Sequence, residues 1–173
     1  MRIADGNIFI AFGANLASPQ ATFAKAISAL RQAGVEVCAR SSLWSSPAWP
    51  ASAREPDYIN GVICVQSHHG PLSLLSLLQV IEYDCGRRAE NRSGPRTLDL
   101  DLLDFRGRIF SNLSLTLPHP LMLERPFVLL PLREVAPNWH DPVYNLHIDV
   151  HIERLSGRQI KSTRPIGQFH SAS

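Results

Sequence analysis

Lysine is almost missing from this chain. Of its 17 basic side chains only Lys25 and Lys161 are lysine, so any phosphate site must be assembled mainly from arginine. Cysteine is sparse too: Cys38, Cys64 and Cys85 are widely separated, lie in apolar contexts and include no C-x-x-C pair. That argues against both a disulfide framework and a zinc cluster. Buried free thiols in a reducing cytosol are the expected state. No apolar run comes near the roughly 20 residues that span a bilayer. Met1-Arg2-Ile3-Ala4-Asp5 leads into an apolar run too short and too interrupted for a signal peptide. A soluble, cytoplasmic chain without a membrane partner is expected. Net charge is only +2, too little for bulk attraction to nucleic acid. Neither the G-x-x-x-x-G-K-S/T loop of nucleotidases nor the G-x-S-x-G elbow of hydrolases occurs.

What is present describes one folded unit. With 173 residues, 45% hydrophobic and 18% charged, the chain is long enough for a single core. Asn7 to Gly13 is a short apolar run that predicts a buried strand. Ser18-Pro19 then opens a helix with the stripe Phe23, Ile27 and Leu30, and Gly34 ends it. Strand character returns from Val35 to Ser46, followed by a proline-punctuated loop to about Asp57, and again from Tyr58 to Gln66. Gly70-Pro71 begins a second helix whose buried stripe is Leu74, Leu78, Ile81 and Cys85, closed by Gly86. Gln79 and Glu82 share a polar flank of it. Arg96 to Leu103 predicts a further strand, Asp104 to Gly107 a turn, and Phe127 to Val135 a short helix. The order strand–helix–strand–strand–helix–strand is the α+β ferredoxin-like arrangement, an antiparallel sheet with helices on one face, here with an extra hairpin. One domain over 1–156 and a loosely ordered tail over 157–173 are expected. His147, Asp149 and His151 alternate, which reads as a polar strand face more readily than as a metal site.

The chemistry concentrates in Arg96-Thr97-Leu98-Asp99-Leu100-Asp101-Leu102-Leu103. Alternation puts Leu98, Leu100 and Leu102 on one face and Asp99 with Asp101 on the other. Two ionised carboxylates so close repel each other, and a divalent cation is their natural partner. Mg²⁺ usually takes one or two carboxylates and completes its shell with water and substrate phosphates. Arginines crowd nearby at Arg87, Arg88, Arg92, Arg96 and Arg125, with His119 among them. Phosphoryl transfer asks for positive charge around the phosphates and an aligned nucleophile, and little else from the protein.

Gly94-Pro95-Arg96-Thr97-Leu98-Asp99-Leu100-Asp101-Leu102-Leu103, Leu117-Pro118-His119-Pro120 and Glu124-Arg125-Pro126-Phe127-Val128-Leu129-Leu130-Pro131-Leu132 together resemble the 6-hydroxymethyl-7,8-dihydropterin pyrophosphokinases of folate synthesis. Gly13-Ala14-Asn15-Leu16, Ser46-Pro47, Pro56-Asp57-Tyr58-Ile59-Asn60 and Gln79-Val80-Ile81-Glu82 match in the same order. The resemblance implies a ferredoxin-like fold and transfer of the β,γ-pyrophosphate of ATP to the pterin hydroxymethyl oxygen, leaving AMP. It implies two Mg²⁺ ions on Asp99 and Asp101, with Arg96 and Arg87 completing the catalytic set. Gln79, Arg87, Arg96, Thr116, His119 and Arg125 match positions that contact ATP. Tyr58, Asn60 and Phe127 match pterin positions, with Ala48 and Trp49 of the proline-rich loop beside them. A monomer acting on two small molecules follows, without nucleic acid or membrane.

The sequence departs from the family at Ser93, where many members carry tryptophan, and at Ala14, where serine is common. Both Arg88 and Arg92 are candidates for the second arginine of the loop between Arg87 and Arg96. Two other classes also fit parts of the chain. A phosphatase with a nucleophilic first aspartate would need a later catalytic lysine, and only Lys161 is available. A ferredoxin-like RNA-binding sheet would need exposed aromatics on its central strands, where this chain has acids.

Overall fold

The computed structural model describes residues 6–49, 55–87 and 95–169. The first strand, β1 (Ile8–Ala14), is apolar on both faces and lies inside the sheet. Helix α1 (Pro19–Gln32) starts at a proline and buries Phe23, Ala26, Ile27 and Leu30. Gly34, at φ 79°, turns the chain out of it, so that its own N–H reaches the Arg31 carbonyl and that of Val35 the Leu30 carbonyl. The expected second strand is two, β2 (Glu36–Arg40) and β3 (Ser42–Ser46), separated at Ser41. Both pair with β4 (Tyr58–Gln66). Helix α2 (Pro71–Asp84) buries Leu74, Leu78 and Ile81, and β5 (Asp99–Phe105) returns beside β1.

All these pairings are antiparallel, and the order β5-β1-β4-β3, with β2 also on β4, is the ferredoxin-like arrangement that the element order implied. Alternate residues of β1 divide two cores. Ile8, Ile10 and Phe12 face α1 and α2. Phe9 and Ala11 face the other way, toward α3 (Pro126–Val135) and α4 (Ile148–Arg154). The element order predicts helices on one face only, yet the second face is also partly covered by helix. The site lies where that cover ends. A short hairpin of β6 (Phe110–Ser111) and β7 (Thr116–Leu117) follows β5.

Several expectations need correction. Asp104 and Phe105 belong to β5, and the turn falls at Arg106 and Gly107, both at positive φ. His147, Asp149 and His151 are not on a strand: His147 caps α4 by accepting from the Asp149 N–H, and His151 lies buried within that helix. Cys64 is buried as expected, but Cys38 is exposed on β2. The segment expected to be a loose tail forms α5 (Gly157–Lys161), with a Ser156–Gln159 capping box, and then β8 (Arg164–Gln168) on the edge of β3. Phe169 follows and packs its ring 5.8 Å from that of Phe12 and 5.7 Å from that of Phe23. Gly61 makes room for it, since a Cβ there would stand 2.5 Å from the Phe169 ring. β8 is exposed at every residue, so it carries no apolar alternation for a sequence reading to detect.

Candidate active site

Three neighbouring strands build the floor. Leu98, just before β5, and Leu100 and Leu102 on it go into the α1/α2 core, which turns Asp99 and Asp101 to the opposite face. In register beside them on β1 stand Gly13 and Ala11, and beyond Gly13 on β4 stands Asn60. Small residues at 11 and 13 keep the floor low. A cavity of about 340 Å³ opens above, within the usual size range of small-molecule sites. Asp99, Asp101, Arg96 and Arg125 line it together with Tyr58, Asn60, Ala48, Trp49 and Phe127. A second hollow of about 310 Å³ lies across Asp101 and is lined by Thr116, His119 and Leu75 among others. Asp101 borders both.

The carboxylates sit in an arginine lattice. Asp99 accepts from Arg87 at 2.8 Å and from Arg96 at 2.5 Å, one guanidinium on each oxygen. Asp101 accepts from Arg125 Nη1 at 3.3 Å, and His119 Nε2 stands 3.8 Å away. Burial first, and then the charge of Asp99, raises the pKa of Asp101, with His119 and Arg125 pulling the other way. Burial likewise lowers that of His119 against the attraction of Asp101. Burial would also lower the pKa of Arg87, but the negative charges of Asp99 and Glu82 outweigh it and the pKa rises.

Local structure explains how Arg87 arrives. Gly86, at φ 98°, ends α2 in a left-handed turn, and the Arg87 N–H returns to the Glu82 carbonyl. That hooks the Arg87 side chain against both Glu82 and Asp99. Glu82 is the residue that sequence reasoning underrated. It is 5% exposed, pairs with Arg87 and accepts the Leu100 N–H of β5 at 2.6 Å. Burial pushes its pKa up to about 7, with Leu100 and Arg87 opposing the rise. Gln79, expected on the same flank, is exposed and lines neither hollow. The helix separates the two residues because only Glu82 faces β5. Glu55 also lines the larger cavity, and no motif pointed to it.

Among the other lining residues, Asn60 is 5% exposed and donates through Nδ2 to Ser46 Oγ at 2.9 Å. Burial first, then the charge of Glu55, raises the pKa of the Tyr58 phenol. His119 follows a cis Leu117–Pro118 bond, and its N–H binds the Leu103 carbonyl of β5 at 2.8 Å. The structure thus gathers Asp99, Asp101, Arg96, His119, Arg125, Thr116, Tyr58, Asn60, Phe127, Ala48 and Trp49 around adjoining hollows, with Arg87 joined to them through Asp99. Arg88, Arg92 and Ser93 lie outside the described residues.

Fold and site define a ferredoxin-like α+β protein with an acid-and-arginine cleft that continues into an aromatic-walled pocket. The chain belongs to the 7,8-dihydro-6-hydroxymethylpterin-pyrophosphokinase (HPPK) family, whose model matches residues 9–137. It is 46% identical over 110 residues to the 2-amino-4-hydroxy-6-hydroxymethyldihydropteridine pyrophosphokinase of Synechocystis, covering 64% of this chain and 55% of that one. Its identity to the protein of the same name from Pseudomonas aeruginosa is 39% over 137 residues, covering 78% and 83%. Among solved structures, wild-type Plasmodium falciparum HPPK-DHPS superposes with a TM-score of 0.69 at 13% identity, covering 92% of this chain and 47% of that chain. That last likeness concerns the fold alone. The chain thus spans little more than half of the Synechocystis relative and under half of the Plasmodium protein.

Proposed function

We propose that this chain transfers pyrophosphate from ATP to 6-hydroxymethyl-7,8-dihydropterin, giving the pterin diphosphate and AMP, as a step of folate synthesis. The observation that carries the reading is that Asp99 and Asp101 line one cavity together with Tyr58, Asn60 and Phe127. The names of the relatives, 2-amino-4-hydroxy-6-hydroxymethyldihydropteridine pyrophosphokinase, agree with it.

In this reading the pterin lies against the Phe127 and Tyr58 rings, which suit a flat heterocycle. Asn60 offers a side chain that both donates and accepts to its amide-like edge. The triphosphate lies along Arg87, Arg96 and Arg125, which hold its charge in place, with His119 and Thr116 toward the second hollow. Gln79 is left outside this arrangement. In-line attack by the hydroxymethyl oxygen on the β-phosphorus then needs alignment more than a protein base.

Two Mg²⁺ ions are part of the proposal. The donor set fits: two hard carboxylates share one face, and burial first and then the charge of Asp99 raise the pKa of Asp101, a repulsion that a cation would relieve. Among the described residues no third His, Cys, Asp or Glu joins them, which suits an ion that takes its remaining ligands from water and phosphate. Asp99 and Asp101 would hold the metal, and bound there it would acidify the hydroxyl and screen phosphate charge. The chain is read as acting as a cytoplasmic monomer with no nucleic-acid partner, and among the described residues no helix is long and apolar enough to cross a membrane. The test is incubation with Mg-ATP and the hydroxymethyl-dihydropterin: AMP must appear with the pterin diphosphate. ADP as the nucleotide product overturns the proposal.

A further inference from the structure

Arg125 is held in an unusual way for a phosphate contact. Its backbone is fixed, because it caps α3 and its carbonyl accepts the N–H groups of Val128 and Leu129, each at 3.0 Å. Its side chain is aimed by three neighbours. Asp101 takes Nη1 at 3.3 Å, the Phe127 ring centre lies 5.9 Å from the guanidinium carbon, and the Trp49 ring centre lies 5.2 Å from it. Both ring distances fall within the range of cation–π attraction, and tryptophan gives the strongest such contact. Phe127 rides on the same helix as Arg125, whereas Trp49 reaches it from the proline-rich loop. Meanwhile Nε of Arg125 is buried without a hydrogen-bond partner. A buried unpaired donor is unfavourable, so the present packing leaves this guanidinium with capacity for one more acceptor.

We propose that Trp49 is a positioning residue for Arg125: its indole holds the guanidinium over Asp101 so that an incoming phosphate oxygen finds it already aimed. This assigns Trp49 to the phosphate side of the site, where sequence reasoning had placed it with the pterin. It rests on the reading of Arg125 as a triphosphate contact. Trp49 is 38% exposed, so replacing it removes a ring from the cavity wall without opening the core.

The test is a double-mutant cycle on the full chain, read by calorimetric binding of magnesium α,β-methylene-ATP and, separately, of inorganic tripolyphosphate. Trp49→Leu weakens both ligands roughly five- to tenfold, and Trp49→Phe, which keeps an aromatic face, restores most of the loss. In an Arg125→Ala background the Trp49→Leu change costs nothing further. In turnover assays the KM for ATP rises while that for the pterin moves less than twofold. If Trp49→Leu raises only the pterin KM, or weakens tripolyphosphate equally with and without Arg125, the inference is wrong and the proposed activity stands. If the wild type yields no AMP but the tripolyphosphate cycle holds, the activity is wrong and the Trp49–Arg125 coupling stands. Failure of the wild type to bind tripolyphosphate overturns the inference, while AMP formation alone decides the activity.

Discussion

The two ends of β5 use the same side chain for opposite purposes. At its start, Asp99 and Asp101 face a cavity and are opposed by Arg87, Arg96 and Arg125. At its end, Asp104 is 2% exposed and spends its carboxylate on the protein, accepting from Gly107 N at 2.7 Å and from Trp139 Nε1 at 2.8 Å. Nearby, Asp141 accepts from the N–H groups of Val143 and Tyr144 and lies 2.7 Å from His151 Nε2. Burial would raise the pKa of Asp141, yet the Tyr144 N–H, His151 and its other donors outweigh that and lower it. Acids that knit the fold have neutral or locally paired donors pointing at them from the same neighbourhood. The acids of the cleft have cations around them and open space beside them. What separates the structural carboxylates from the proposed metal ligands is the surroundings, since all four are aspartates.

That contrast can be broken most sharply at Asp101. Asp101→Ala, or Asp99→Ala, is expected to cut AMP formation by roughly three orders of magnitude or more while the folded circular-dichroism spectrum stays, because charge stabilisation at the phosphates is lost. Near-wild-type turnover in either variant would erase the distinction. Asp104→Ala should do the reverse. It strands the Trp139 and Gly107 donors, so thermal or urea unfolding is expected to show a loss of about 2 kcal/mol with turnover per folded molecule little changed.

Glu82 tests the boundary between the two kinds, since it is buried yet linked to the site through Arg87. Its folded pKa, raised to about 7 from an ordinary 4.5, makes its ionised form unfavourable in the folded state. The stability it permits is therefore fully present below about pH 4.5 and is lost as pH rises through about 7. The difference amounts to at most about 3 kcal/mol at 1.36 kcal/mol per unit. Urea titrations between pH 5 and 8 should show this slope in the wild type and a flatter one in Glu82→Gln. Equal slopes in the two proteins would refute the assignment. Asp141 has the opposite sign. Its lowered pKa contributes stability above the ordinary carboxylate range, and that is lost only as pH falls below it. The smallest effect belongs to Asn60: Asn60→Ala should raise the pterin KM about tenfold with the ATP KM nearly constant, by loss of a paired donor and acceptor. A change confined to ATP would place the pterin elsewhere.

Much of the site was legible because strands and helix ends write it in local code. Alternation over Leu98 to Leu102 fixed which face the acids take, and Gly34 and Gly86 marked two helix ends at the residues where the chain turns. Glu82 was only half legible. It reads as polar surface beside Gln79, and burial of one but not the other depends on where β5 docks against α2. The closing strand was invisible. β8 has no apolar face, and the residue that ties it down, Phe169, is a single aromatic whose pocket comes from Phe12, Phe23 and the absence of a side chain at Gly61. Removing residues 164–173 is expected to lower the unfolding temperature, since a buried phenylalanine contributes on the order of 1.5–3 kcal/mol.

By itself the sequence determined the order of strands and helices, the face on which Asp99 and Asp101 stand, and the family to which such motifs belong. Each of these follows from periodicity or from residues adjacent in the chain. Only the tertiary structure decided that Arg87, Arg96 and Arg125 divide themselves between the two acids, that Trp49 lies against Arg125, and that Glu82 is buried. Apart from the Arg96–Asp99 pair, three residues apart in the chain, those are contacts between separate segments, set by how helices and loops dock on a sheet, and no local pattern encodes a docking distance.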